Sequence, residues 1–313
     1  MKKAVLTVAL ASVLTAPVLT ACGGVSTTNP EAATSGPCTP AVTGDPLVPP
    51  TATTAEKDPK LAAEVPSTYK GVTLTMGVPP DLPSVNYTYN GTRRGFEIDL
   101  FNAAAATLGV KVKYILTQDI SSAAAAGQVM GAAYYLNDTK EREKAGFQFV
   151  DYLEATDSAL VANCNPQGIT SNDDLCGKTV TAIKGSTQLA AVSKGGSVTK
   201  ACIAAGKSAP KALPAESTAA AITTVGTTSD VAFVDGPIAQ AAAESTPDAV
   251  SVGYTVPRPG QPTSYAFGDP ALAQAFVDAI NALMANGTYT KILDDYQVSV
   301  GRLTQATLNG ATA

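Results

Sequence analysis

The chain has 313 residues, 21 Lys and Arg against 26 Asp and Glu, a formal net charge of −5, and neither His nor Trp. The missing His excludes a Ser-His-Asp triad, a Cys-His pair and an H-E-x-x-H zinc helix. The acidic balance argues against nucleic acid, whose binding needs a basic face, and the length allows one large domain or two smaller ones.

Lys2 and Lys3 precede an uncharged apolar stretch, Ala4 to Ala21, which ends in Leu19-Thr20-Ala21-Cys22. A charged start, an apolar middle and small residues at the exit read as a secretory signal. The tetrapeptide resembles a bacterial lipobox. That resemblance implies removal of residues 1–21 and a lipid on Cys22, holding the protein on the outer face of the cytoplasmic membrane. An ordinary signal peptide or an uncleaved anchor is the plainer reading. Residues 22–65 are mostly Thr, Ala, Pro, Ser and Gly, cannot bury enough surface to offset ordering, and read as a flexible stalk. Outside the cytoplasm disulfides are permitted. Cys176 and Cys202 share one segment and are expected to pair, whereas Cys38 with Cys164 is left open because Cys38 sits in the stalk. With no His and no C-x-x-C, no metal site is expected, and no cofactor.

The body alternates strands and helices. Val72 to Val78 alternates as a strand, and Pro79, Pro80 and Pro83 force a loop. Gly95-Phe96-Glu97-Ile98-Asp99-Leu100 enters a helix with Leu100, Ala104 and Leu108 on one face and Gly109 as its cap. Strands follow at Val110–Ile115, Thr179–Ile183 and Val231–Val234, the last ending at Asp235. Asp269-Pro270 starts a helix whose face is Leu272, Phe276, Ile280 and Leu283, stopped by Asn286-Gly287. A shorter helix carries Tyr289, Ile292, Leu293 and Tyr296. This order predicts α/β architecture with largely parallel sheets.

Several stretches, in order, resemble the family 3 extracellular solute-binding proteins of amino-acid ABC importers. They are Gly95 to Leu100, the Thr-x-x-Arg of Thr139 to Arg142, Phe149 to Tyr152, Asp173 to Val180 with Lys184 to Gln188, Asp230 to Asp235, and Asp269 to Leu272 with Asn286 to Tyr289. The Cys176 and Cys202 pattern is similar to actinobacterial members. The resemblance implies a type II periplasmic-binding-protein-like fold, with two α/β lobes joined by two crossing strands. Lobe 1 would be residues 66–158 plus 255–298, lobe 2 residues 159–254, and residues 299–313 a C-terminal tail.

It also implies a site. A free amino acid brings a carboxylate and an ammonium, and each needs a partner when buried. Arg142 would take the carboxylate with its planar fork. Gly185, Ser186 and Thr187, with Gln188 after them, would add donors to the same group. Asp235 would take the ammonium. Tyr135 and Asn137 would line the pocket, where Tyr134-Tyr135-Leu136-Asn137 replaces the family's usual small residues and puts the ligand's side chain in question. Asp81 and Asn86 are further candidates in a loop that lacks the family's usual aromatic ring.

Plainer readings stand beside these. Arg142 would be a solvated helix charge paired with Glu141 or Asp138, Asp235 a cap for the helix at Gly236-Pro237, and Ser186-Thr187 a cap as well. Glu97 and Asp99 read as structural. The resemblance favours a non-enzyme that captures a small zwitterion and delivers it to an ABC permease. The alternatives are a ligand-sensing receptor for a membrane signalling partner, or a dehydratase-like enzyme on the same fold.

Overall fold

The computed structural model describes residues 48–312 apart from Pro83, Gln118 and Ser299. The signal segment, Cys22, Cys38 and the stalk to residue 47 lie outside the described residues. The described end of the expected stalk is docked rather than loose. Arg94 Nη2 donates to the Pro50 carbonyl at 2.6 Å, and Thr53 Oγ1 to Asp295 Oδ2 at 3.2 Å. Asp58 caps α1 (Pro59–Glu64), accepting from the Lys60 and Leu61 amides, with Pro59 in the first turn. These contacts use backbone carbonyls and short polar side chains, which leave no hydrophobic period to read.

The first sheet begins with β1 (Thr73–Val78), followed by the hairpin β2 (Tyr87–Tyr89) and β3 (Thr92–Arg94), α2 (Phe96–Leu108), β4 (Lys111–Leu116) and α3 (Ile120–Ala125). Next come β5 (Gly131–Asn137), α4 (Lys140–Lys144) and β6 (Gln148–Leu153). α2 stops as its sequence predicts: Gly109 takes φ 68°, and its N–H returns to the Ala105 and Ala106 carbonyls. At the helix entry Gly95 has φ 118°, and a Cβ there would lie 2.2 Å from the Val85 carbonyl, so a side chain is excluded.

The chain then crosses into a second sheet with β7 (Thr156–Ala162), β8 (Thr179–Ile183), α5 (Thr187–Val192), α6 (Ser197–Ala204) and β9 (Lys211–Ala215). α7 (Thr218–Thr223), β10 (Val231–Asp235), α8 (Gly236–Ser245) and β11 (Val250–Pro257) complete it, in the order β11-β7-β10-β8-β9. A Cys176–Cys202 disulfide ties the segment before β8 to α6 across a Cα–Cα distance of 5.5 Å. Cys164 is also disulfide-bonded, while Cys38, the partner considered for it, lies outside the described residues.

The chain crosses back into the first sheet with β12 (Thr263–Phe267), α9 (Pro270–Ala285), α10 (Thr288–Asp295) and β13 (Arg302–Leu308), giving the order β13-β6-β12-β5-β1-β4. Residues 299–313, expected as a tail, therefore contain a strand antiparallel to β6. It is held by polar groups rather than by an apolar run: Asp151 Oδ2 accepts from Thr307 Oγ1 at 2.9 Å and the Gly310 amide at 2.7 Å, and Asp138 Oδ2 from the Ala311 amide at 3.0 Å.

Both sheets are mixed, which corrects the expectation of largely parallel pairing. β1 is parallel to β4 and β5, and β8 to β9 and β10. β12 runs against β5 and β6, and β7 against β10 and β11. The cause is the double crossing: β7 and β12 start at the junction, where their neighbours end.

The first sheet packs its core against α2 and α9, and the second sheet has a separate one around Val161, Val180 and Phe233. Phe101 stacks on Phe276 at 4.8 Å and meets Tyr265 edge-on at 5.0 Å, and Tyr152 stacks on Tyr265 at 4.1 Å. Each such ring contributes roughly 1.5–3 kcal/mol by burial. Tyr152 and Tyr265 need partners for their hydroxyls, and they find the side-chain Oε1 and the carbonyl of fully buried Glu97, each at 2.7 Å. Asp99 accepts from Arg94 Nη2 and from the Tyr296 hydroxyl, each at 2.8 Å. Both acids are structural, as read from the sequence. No helix among the described residues is long and apolar enough to cross a membrane.

Candidate functional site

β7 and β10 are antiparallel, and their last register pair at the junction is Asp157 opposite Asp235. Like charges facing each other across two strands are destabilising, so a counter-charge is needed. It comes from the returning connection, where Arg258 follows β11. Its Nη1 donates to Asp157 Oδ1 at 2.6 Å and to Thr187 Oγ1 at 2.8 Å, and its Nη2 to Asp235 Oδ1 at 2.8 Å. Gln188, only 3% exposed, bridges the same two oxygens from the other side, its Nε2 lying 2.9 Å from each.

Each Oδ1 is thus bonded twice. Among the described residues neither Asp157 Oδ2 nor Asp235 Oδ2 accepts a hydrogen bond. Burial pushes Asp157 up to about 6; Arg258 opposes this and the Asp235 charge adds to it. The backbone amide of Arg258 donates to the Ala155 carbonyl at 2.8 Å, so the two inter-sheet connections are bonded to each other.

The cluster opens onto a groove of about 680 Å³. It is lined by Asp157, Thr187 and Arg258, by Pro259 and Gln261 of the same connection, and by Ser193 to Ser197. Gln261 Oε1 is buried with no hydrogen-bond partner among the described residues.

On the first-sheet side, β5 ends at Asn137, the register partner of Thr263 at the start of β12. Asn137 Nδ2 and Thr263 Oγ1 are both buried and find no hydrogen-bond partner among the described residues. Thr139 caps α4 by accepting from the Arg142 amide. The Arg142 guanidinium folds back, Nη1 donating to the Asn137 carbonyl at 2.6 Å, and so lies at the carboxyl end of β5. Tyr134 is close enough to feel that charge: burial pushes its hydroxyl up to about 12 against the pull of Arg142. Tyr135 is in β5, and its side chain is outside the described set.

The structure therefore brings Asp235, Gln188 and Thr187 together. It places Asn137 with Arg142 at the end of the other sheet, and no hydrogen bond or ion pair among the described residues joins the two groups. Ser186 Oγ accepts from the Leu189 amide at 3.1 Å, a helix cap. Asp235 precedes α8 but makes no side-chain cap, since its carboxylate is turned to Arg258 and Gln188. Asp81 and Asn86 are both engaged by Arg93, which pairs with the first and donates to the second. No group of three His, Cys, Asp or Glu able to hold a metal occurs among the described residues.

Sequence reasoning missed Asp157 and Arg258. Neither lies in any of the stretches that the sequence singles out. The charged opposition that makes them a pair exists only once β7 and β10 are in register.

Two α/β sheets linked by two bonded connections, with a polar cluster at the strand ends beside a groove, define a two-lobed binding protein of type II architecture. The profile of the bacterial extracellular solute-binding proteins, family 3, matches residues 74–299, and the chain belongs to that family. No curated protein matches the chain. Among solved structures, an ancestral arginine-binding protein bound to arginine is 28% identical, covering 72% of this chain and 97% of its own, with a TM-score of 0.59. An ancestral amino-acid-binding protein, described as a precursor of cyclohexadienyl dehydratase, is 27% identical over 74% of this chain and 99% of its own, with a TM-score of 0.58. An amino acid ABC transporter substrate-binding protein from Streptococcus pneumoniae, bound to L-arginine, shares the fold at 22% identity and a TM-score of 0.59, covering 76% of this chain and 100% of its own.

Proposed function

We propose that this protein captures a small zwitterion, an amino acid or close relative, between lobes at residues 66–158 plus 255–298 and 159–254, and delivers it to an ABC permease. The observation that carries the reading is the acid pair at the junction end of β7 and β10, tied back through Oδ1 and open at Oδ2. An ammonium group seats on those open oxygens. Arg142, at the carboxyl end of β5, takes the carboxylate, with Asn137 Nδ2 as a further donor. Thr187 and Ser186 lie at the start of α5, beside the groove wall. Each charge-assisted bond contributes about 1.5–3 kcal/mol net, so three or four support a micromolar complex, roughly −8 kcal/mol.

In this reading a lipid on Cys22 holds the protein to the outer face of the membrane. Mass analysis of the mature protein from its native host tests the anchor, and an unmodified Cys22 defeats it. A thermal-shift screen over amino acids and related zwitterions, followed by calorimetry, tests capture. Saturable binding without turnover is the expected result, and no binding by any zwitterion defeats the reading.

One observation favours a second reading. Asp157 combines a pKa near 6 with an open groove, as a general acid or base would, and one ancestral neighbour is a dehydratase precursor. Ligand consumption during calorimetry, seen as a continuing heat signal, would move the assignment to an enzyme.

A further inference from the structure

Asp157, Asp235 and Arg258, two carboxylates and one guanidinium, sum to one formal negative charge, and among the described residues the Oδ2 of each acid accepts no hydrogen bond. One cationic head satisfies it. Apart from Asp157, which belongs to that seat, no described acid lines the groove, while Arg258 and Lys194 are both basic. Gln261 and the small residues Ala190, Ala191 and Ser193 complete that part of the wall. A second positive charge on the ligand would therefore meet cations and no unclaimed carboxylate.

We propose that Arg258 sets the charge class of the ligand, restricting the site to zwitterions without a cationic side chain. This rests on the reading that the junction cluster receives the ligand's ammonium. It differs from the arginine-bound neighbours, and it assigns the difference to one residue in the connection between the sheets. Arg258 cannot be replaced here by a neutral residue without changing specificity: the Asp157–Asp235 pair would then carry two negative charges and admit a second cation. Held by both acids and Thr187, the guanidinium is a fixed charge rather than a solvated one.

The test is calorimetry with L-glutamine and L-arginine on the wild-type chain, Arg258→Gln and Asp157→Asn, with folding of each checked by thermal melting. These variants carry about two, one and zero surplus negative charges in the order Arg258→Gln, wild type, Asp157→Asn. A unit charge a few ångströms from the ligand in a partly wet site is worth roughly tenfold in affinity. Wild type is expected to prefer glutamine by roughly tenfold or more, Arg258→Gln to shift the ratio towards arginine by about tenfold, and Asp157→Asn to shift it the other way. A wild type that prefers arginine, or a ratio that stays constant across the three proteins, overturns the proposal while leaving amino-acid capture standing. If Arg258→Gln does not fold, the opposite shift in Asp157→Asn decides. Binding of neither ligand, nor of any zwitterion in the screen, overturns capture itself and this proposal with it.

Discussion

The guanidinium of Arg258, 2.8 Å from Asp235, occupies a place where two strands would otherwise hold like charges against each other. Arg258 and both acids are largely buried, their side chains 11–16% exposed. Removing one member of such a set leaves an uncompensated charge, which costs more than the intact pair contributes. Arg258→Ala is expected to lower stability by about 1–3 kcal/mol. Urea unfolding measures it, and Arg258→Ala combined with Asp157→Asn should recover part of the loss. Full loss in the double variant would show that Arg258 acts through packing instead.

Arg142→Ala is expected to abolish amino-acid binding while changing stability by less than about 0.5 kcal/mol, because the side chain is solvent-accessible and its one hydrogen bond is to a strand-end carbonyl. Calorimetry and melting on the same sample separate the two effects. Unchanged affinity would remove Arg142 from the site.

Asp138 is fully buried, and burial together with the neighbouring Asp151 charge pushes it up to about 7. Burial raises Asp151 as well. Folded-state values above the unfolded value mean that the native state holds protons the unfolded chain has released. Stability from these groups is therefore greatest below about pH 4 and declines as pH rises towards 7. In Asp138→Asn that slope should flatten, so its stability relative to wild type should grow by on the order of 3 kcal/mol between pH 4 and pH 8. Parallel pH profiles for the two proteins would contradict this.

Replacing Cys176 and Cys202 with Ser opens a bridge spanning a sequence separation of 26. Chain entropy alone puts the loss at about 3 kcal/mol. Chemical denaturation of the double variant measures it. A loss well under 1 kcal/mol would mean that the second sheet and α6 keep the segment in place unaided.

Much of this architecture was readable from pattern. The α9 start at Asp269-Pro270, its buried face and the Gly109 cap on α2 are local features, encoded within a few residues. β13 was not readable, because its attachment is to two buried carboxylates more than a hundred residues away. The site divides in the same way. Asp235 and Gln188 sit on motifs with their own spacing. Asp157 and Arg258 acquire meaning only from strand register and from the double crossing, which no local window contains. The end of the stalk looked unstructured because its apolar residues are few and widely spaced; Ala55, Leu61 and Val65 nevertheless pack against the core, and Pro50 and Thr53 dock through single polar contacts.

The amide of Arg258, bonded to Ala155, binds the outgoing and returning linkers into one strip. Two separate linkers would let the lobes twist and shear independently, whereas a joined strip bends about a single axle. The same residue holds both carboxylates through their Oδ1 atoms, so the joined strip and the acid pair share one side chain.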